Sequence, residues 1–174
     1  MNTANKLTMV RVALIPVFLA VLYIGFAGSN YVAMALFILA GITDAADGYI
    51  ARSRDQVTDF GKFTDPLADK ILVVSALLWF VEKGTIPAWA ALLVIIREFM
   101  VTALRLIAAG NGRVIAAAVS GKIKTVVTML CLTVMFFHLR QWMIYVCIAA
   151  ISATTLISGV EYFIKNKDVL KMDR

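Results

Sequence analysis

The chain has 174 residues, 61% of them hydrophobic, with a mean hydropathy of +0.87 and a formal net charge of +6. A soluble domain would be near half apolar, so the long uncharged runs exclude an ordinary soluble globule, and the lack of strict alternation excludes a membrane β-barrel. The basic residues cluster at the ends of apolar runs, where they set membrane orientation, so the positive charge does not point to nucleic acid.

Residues 12–43 carry no charge. That is too long for one span, and Gly28-Ser29-Asn30 supplies a turn, giving a first helix over about 6–27 and a second over about 31–52. Arg11 and Pro16, with no small-residue cleavage site after the first apolar run, fit an anchored helix better than a cleaved signal peptide. A polar segment, Ser53 to Thr64, follows. Asp65-Pro66 reads as an N-cap with proline at the first helical position, which predicts a third helix over about 66–82. Glu82-Lys83-Gly84 and Pro87 mark a turn. The fourth helix, about 86–109, carries Arg97, Glu98 and Arg105 and ends at Gly110-Asn111-Gly112; the fifth and sixth run over about 121–139 and 142–165. Cys131 and Cys147 lie in apolar runs and read as small buried hydrophobes, not as a disulfide or metal pair.

The fold expected is all-α: one polytopic membrane domain over residues 1–174, with six transmembrane helices at roughly 20 residues each. Lys6, Arg11, Arg52, Arg54, Lys62, Arg113, Lys122, Lys124, Lys165, Lys167, Lys171 and Arg174 fall on one side, against Lys83 and Arg140 on the other. The first side is expected to be cytoplasmic and to carry both termini. Trp79, Trp89 and Trp142 read as interface-belt residues, and His138 falls near the outer side, away from any chemistry. Five helices place polar groups at similar depth on the cytoplasmic side, which predicts a polar cavity open to the cytosol.

The helical segments before and after the polar stretch hold four aspartates. Asp44 and Asp47 are three apart, Asp65 and Asp69 four apart, so each pair shares a helix face. Carboxylates inside a membrane protein are costly to keep and mark function by default; a salt-bridged core network is the competing reading. Four gathered negative charges need compensation. Two divalent cations supply it, and oxygen-only ligands suit Mg²⁺ or Mn²⁺ and not zinc. A two-metal carboxylate site suits displacement at phosphorus. Gly48 and Ala51 lie on or beside the aspartate face and allow close approach of a ligand, although tight helix packing explains small residues equally well. Arg52 has the planar fork that meets a phosphate, and Gly61 serves the loop entering the third helix.

The run from Asp44 to Asp69 reads D-x2-D-G-x2-A-R-x8-G-x3-D-x3-D. It resembles the signature of the CDP-alcohol phosphatidyltransferases at every defined position. The resemblance implies a CDP-linked lipid donor, release of CMP, metal binding by Asp44, Asp47 and Asp65, and Asp69 as general base beside or on the metals. It places Thr8, Gly48, Ala51, Arg52 and Gly61 at the CDP-lipid, and implies six transmembrane helices and a homodimer. Asn5-Lys6-Leu7-Thr8 with Arg11, Ile96-Arg97-Glu98-Phe99 with Arg105, and Gly121-Lys122-Ile123-Lys124-Thr125 resemble segments of the bacterial phosphatidylglycerophosphate synthases within that family. That branch implies sn-glycerol 3-phosphate as acceptor and a bacterial-type inner membrane.

A phosphorylated acceptor needs cations, and Arg105, Lys122, Lys124 and Arg11 lie in the cytoplasmic layer. The two lysines also read as orientation anchors. Glu98 and Arg105 are seven apart and on one face, so Glu98 is expected to orient that arginine; Arg97 lies deeper and is expected to point elsewhere, with pairing or interhelical bonding weighed equally against substrate contact. Inositol phosphate and serine are the alternative acceptors. A divalent-metal transporter is the rival of another class, but it requires polar residues across the whole membrane, and the outer halves of the second, third, fifth and sixth helices are nearly free of charge.

Overall fold

The computed structural model describes residues 3–53, 59–110, 112, 115, 118–137 and 139–169, with side chains outside 3–8, 11, 44–53 and 59–69. These form α1 (Thr3–Ile24), α2 (Ser29–Ser53), α3 (Asp59–Glu82), α4 (Ala88–Gly110), α5 (Val119–Met135) and α6 (Gln141–Lys165), followed by a short 3-10 turn, Lys167–Val169. No strand occurs among the described residues. One helix among them, α6, is long and apolar enough to cross a membrane; Val12–Ile24 and Ser29–Thr43 are shorter apolar segments. Arg97, Glu98 and Arg105 fall in every span-length stretch of α4 and lower its apolar character.

The chain divides into two compact units: residues 1–79 with 133–138, and residues 80–132 with 139–174. In the first unit α1 and α2 pack as a helical hairpin. Its turn uses Gly25 and Gly28, both with positive φ, a region that costs glycine little and other residues much. The turn begins earlier than the apolar run suggests, because Gly25, Phe26 and Ala27 leave the helix although two of them are apolar. Ile15, Phe18 and Leu22 make the buried stripe of α1, and Ala33, Phe37 and Ala40 that of α2. Both stripes repeat at helical spacing. Phe18 lies between Phe37 and Phe136, with ring centroids 6.0 and 6.1 Å away.

Two expectations about α3 change. The helix begins at Asp59, so Asp65 and Pro66 are interior positions and not its cap. A proline inside a helix loses one backbone bond, and Pro16 is accommodated in the same way in α1. Trp79, expected in the interface belt, is only 8% exposed and meets Tyr23 edge-on at 5.1 Å. Trp89 and Trp142 are exposed as a belt requires. His138 lies outside the described residues.

In the second unit α4 packs on α6. The buried stripe of α6 is Ile148, Ile151, Thr155, Ser158 and Tyr162; on α4 it is Ala90, Ala91, Val94, Val101, Leu104 and Ala108. Arg97 sits in register with that α4 stripe, between Val94 and Val101. Cys131 and Cys147 are free and half-buried. Helix α5 ends at Met135, where Phe136 and Phe137 close turns back on Thr133 and Val134 instead of continuing to residue 139.

Candidate active site

The eight positions of the aspartate motif lie on two helices of the first unit. Asp44, Asp47, Gly48, Ala51 and Arg52 occupy the last turns of α2. Gly61, Asp65 and Asp69 occupy the first turns of α3. The backbone is helical through both segments, so the three- and four-residue spacings put each aspartate pair on one helix face. Thr8 and Arg11 lie on α1, also three apart. The side chains of all these residues lie outside those the structure describes.

The remaining candidates belong to the second unit, where side chains are described. Lys124 is 3% exposed, and its Nζ donates to Glu98 Oε1 at 2.8 Å. The same oxygen accepts from Arg97 Nη1 at 2.9 Å. Lys122, two residues from Lys124, is exposed, as it must be when positions two apart on a helix face different ways. Lys122 and Lys124 are therefore not a matched pair of phosphate ligands: one faces outward and the other is locked into an ionic cluster.

The environment of that cluster is tailored to arginine. A Cβ added at Gly121 would stand 3.3 Å from Arg97 Nη2, and one at Gly159 would stand 3.4 Å from Arg97 Cγ. Glycines on α5 and α6 thus leave the space that the guanidinium and its stem occupy. Among the described residues, two cations share this one carboxylate, in a region with little access to water.

Arg105 does not meet Glu98. It is exposed, and its Nε donates to the Tyr162 hydroxyl at 2.9 Å, with the guanidinium carbon 5.6 Å from the centroid of that ring. The seven-residue spacing that linked Glu98 to Arg105 in the sequence loses to partners on other helices: Lys124 on α5 and Tyr162 on α6. Tyr162 escaped the sequence reading because a tyrosine in an apolar run reads as core. Its place on the α6 stripe was the available signal, since a buried tyrosine hydroxyl needs a partner.

A groove of about 560 Å³ runs along α4 and α6, lined by Leu92, Ile96, Met100, Leu156 and Phe163, with Arg97 and Thr155 as its polar members. Its apolar walls suit hydrocarbon and not a diphosphate.

Residues 1–157 match the family model described as CDP-alcohol phosphatidyltransferase. The chain is 41% identical to a Bacillus subtilis protein named CDP-diacylglycerol–glycerol-3-phosphate 3-phosphatidyltransferase, covering 98% of this chain and 97% of that one. It is 38% identical to a probable phosphatidylglycerophosphate synthase of Mycobacterium tuberculosis, over 92% of this chain and 79% of that one. A Rickettsia felis protein with the same name as the Bacillus one is 35% identical, over 93% of each chain. With a family model over most of its length and relatives matched almost end to end, this chain belongs to the CDP-alcohol phosphatidyltransferase family.

Proposed function

We propose that the chain is a phosphotransferase that moves the phosphatidyl group of CDP-diacylglycerol to the primary hydroxyl of sn-glycerol 3-phosphate, giving phosphatidylglycerophosphate and CMP. The observation that carries this reading is the unbroken eight-position motif on α2 and α3, in a chain 41% identical over nearly its whole length to a relative named for that reaction. Residues 1–174 act as one membrane domain of six spans. Both termini and the site face the cytosol at a bacterial-type inner membrane, and the chain works as a homodimer.

Asp44, Asp47, Asp65 and Asp69 form an oxygen-only donor set, and helical spacing puts each pair on one face, which fits Mg²⁺ or Mn²⁺. Two such ions, when bound, neutralise the donor diphosphate and the charge that builds on the leaving CMP. Asp69 accepts the proton of the acceptor hydroxyl. That oxygen then forms its bond to the phosphorus bearing the diacylglycerol as the bond from this phosphorus to CMP breaks. Arg52 holds a donor phosphate. Gly48 and Ala51 let the donor approach the helix backbone, and Thr8 and Gly61 complete its seat. The acceptor phosphate is anionic and needs cations. Arg105 and Lys122 are exposed and take that role with Arg11, while Lys124, held by Glu98, contributes charge from within the protein.

The test uses purified protein, CDP-diacylglycerol and a divalent cation, with CMP release as the readout. Release is expected to require all three and glycerol 3-phosphate. Asp69→Asn is expected to abolish turnover while CDP-diacylglycerol still binds. Near-normal turnover in that variant would remove Asp69 as the base, and CMP release independent of any alcohol would remove the transferase reading.

A further inference from the structure

We propose that Tyr162 is a positioning residue for acceptor recognition: its hydroxyl ties the Nε edge of Arg105 so that the Nη edge is presented to the phosphate of the acceptor. This rests on the reading that Arg105 binds that phosphate.

Tyr162 is well placed to act as a fixed point. It is 2% exposed and packs in a cluster with Val101 and Leu104. Ile115, Ala118, Phe163 and Val169 close around that cluster. Its backbone carbonyl is also held, accepting from Asn166 Nδ2 at 2.8 Å. Arg105 is the opposite case: a long, exposed side chain with many rotamers. The single bond from its Nε to the buried hydroxyl, 2.9 Å, joins the mobile group to the rigid one. The tyrosine ring adds a second restraint, 5.6 Å from the guanidinium carbon.

The choice of Nε is what gives the contact a role. A guanidinium can grip an anion with two parallel N–H bonds through either its Nε–Nη edge or its Nη–Nη edge. With Nε engaged by tyrosine, only the Nη–Nη edge stays open for two-point contact, and its direction is set by the core of the unit. No carboxylate pairs with Arg105 among the described residues, whereas Arg97 and Lys124 both pair with Glu98. Among the described residues Arg105 is thus oriented without being neutralised, which suits recognition of a dianionic phosphate. Lysine at this position lacks the planar fork, so even an ammonium bonded to the Tyr162 hydroxyl has no second edge for that hydroxyl to aim at the phosphate.

The experiment measures steady-state kinetics of the full chain with CDP-diacylglycerol and divalent cation, for Tyr162→Phe, Arg105→Lys and the double variant. Tyr162→Phe keeps the ring and loses only the hydroxyl. It is expected to raise KM for glycerol 3-phosphate about tenfold, the scale of one hydrogen bond to a charged group, with kcat and KM for CDP-diacylglycerol within about twofold. In the Arg105→Lys background the same change is expected to add nothing. If Tyr162→Phe leaves the glycerol 3-phosphate KM unchanged while Arg105→Lys raises it, the positioning role is overturned and the acceptor reading stands. An equal effect of Tyr162→Phe in both backgrounds, or equal rises in KM for both substrates, likewise overturns it, because the hydroxyl then acts on packing and not through Arg105. If Arg105→Lys itself leaves the glycerol 3-phosphate KM unchanged, the acceptor reading falls and the proposal with it.

Discussion

Glu98→Gln tests whether the cluster on α4 and α5 is held by charge. One oxygen, Oε1, accepts from Lys124 at 2.8 Å and from Arg97 at 2.9 Å. The side chains of Arg97, Glu98 and Lys124 are 12%, 18% and 4% exposed, so solvent screens them little. At an effective dielectric of about 20, each contact carries an attraction of about 6 kcal/mol before desolvation is counted. Desolvation offsets much of that in the intact cluster. Removing the carboxylate charge leaves that penalty in place and strands two cations beside each other, a situation that costs about 3–5 kcal/mol. Glutamine keeps the shape and one acceptor, so about 3 kcal/mol is the expected loss, or a fall in apparent Tm on the order of 10 °C. The assay is thermal unfolding of the purified chain in detergent. Adding Lys124→Met removes one stranded cation and is expected to recover at least about half of the deficit. A Glu98→Gln protein that melts within about 1 °C of the parent would refute the reasoning, since the cluster would then be neutral to stability.

Other outcomes follow from the same geometry. Gly121→Val places branched methyls where Arg97 Nη2 lies 3.3 Å from an added Cβ, and is expected to cost about 1–3 kcal/mol by thermal unfolding, with Gly121→Ala milder. Phe18→Ala empties the seat between Phe37 and Phe136 and is expected to cost about 3 kcal/mol in the same assay; an unchanged Tm would show that the first unit does not depend on that ring. A chelator is expected to stop CMP release, and added Mg²⁺ or Mn²⁺ to restore it. Asp65→Asn is expected to raise the cation concentration needed for half-maximal rate; an unchanged requirement would exclude Asp65 as a ligand.

The helical architecture was legible because apolar runs and glycine turns repeat along the chain. The start of α6 was expected at residue 142 and lies at Gln141; its end at Lys165 agrees. Boundaries failed where two local signals competed. Asp65-Pro66 looks like a helix start, yet the helix runs through it from Asp59. Gly25 ends α1 inside an apolar run, because a positive φ outweighs hydrophobicity there. The aspartate motif was readable because its spacing is local to two helices. The environment of the cations was not. Spacing along α4 paired Glu98 with Arg105, but only the packing of α5 and α6 brings Lys124 to Glu98 and Tyr162 to Arg105. One-dimensional periodicity shows which face a residue occupies and is blind to what the neighbouring helix presents to it. Gly121 and Gly159 illustrate the same limit: as small residues they signal close packing, and the group they accommodate, Arg97, is visible only in three dimensions.

The acceptor is the central claim, and the lipid product tests it most directly. Purified protein with CDP-diacylglycerol and Mg²⁺ or Mn²⁺ is offered glycerol 3-phosphate, inositol phosphate or serine separately, and the product is identified by mass spectrometry. The expected result is phosphatidylglycerophosphate, formed in step with CMP, from glycerol 3-phosphate and no phosphatidyl product from the other two. A phosphatidyl product from inositol phosphate or serine, with none from glycerol 3-phosphate, would contradict the assignment.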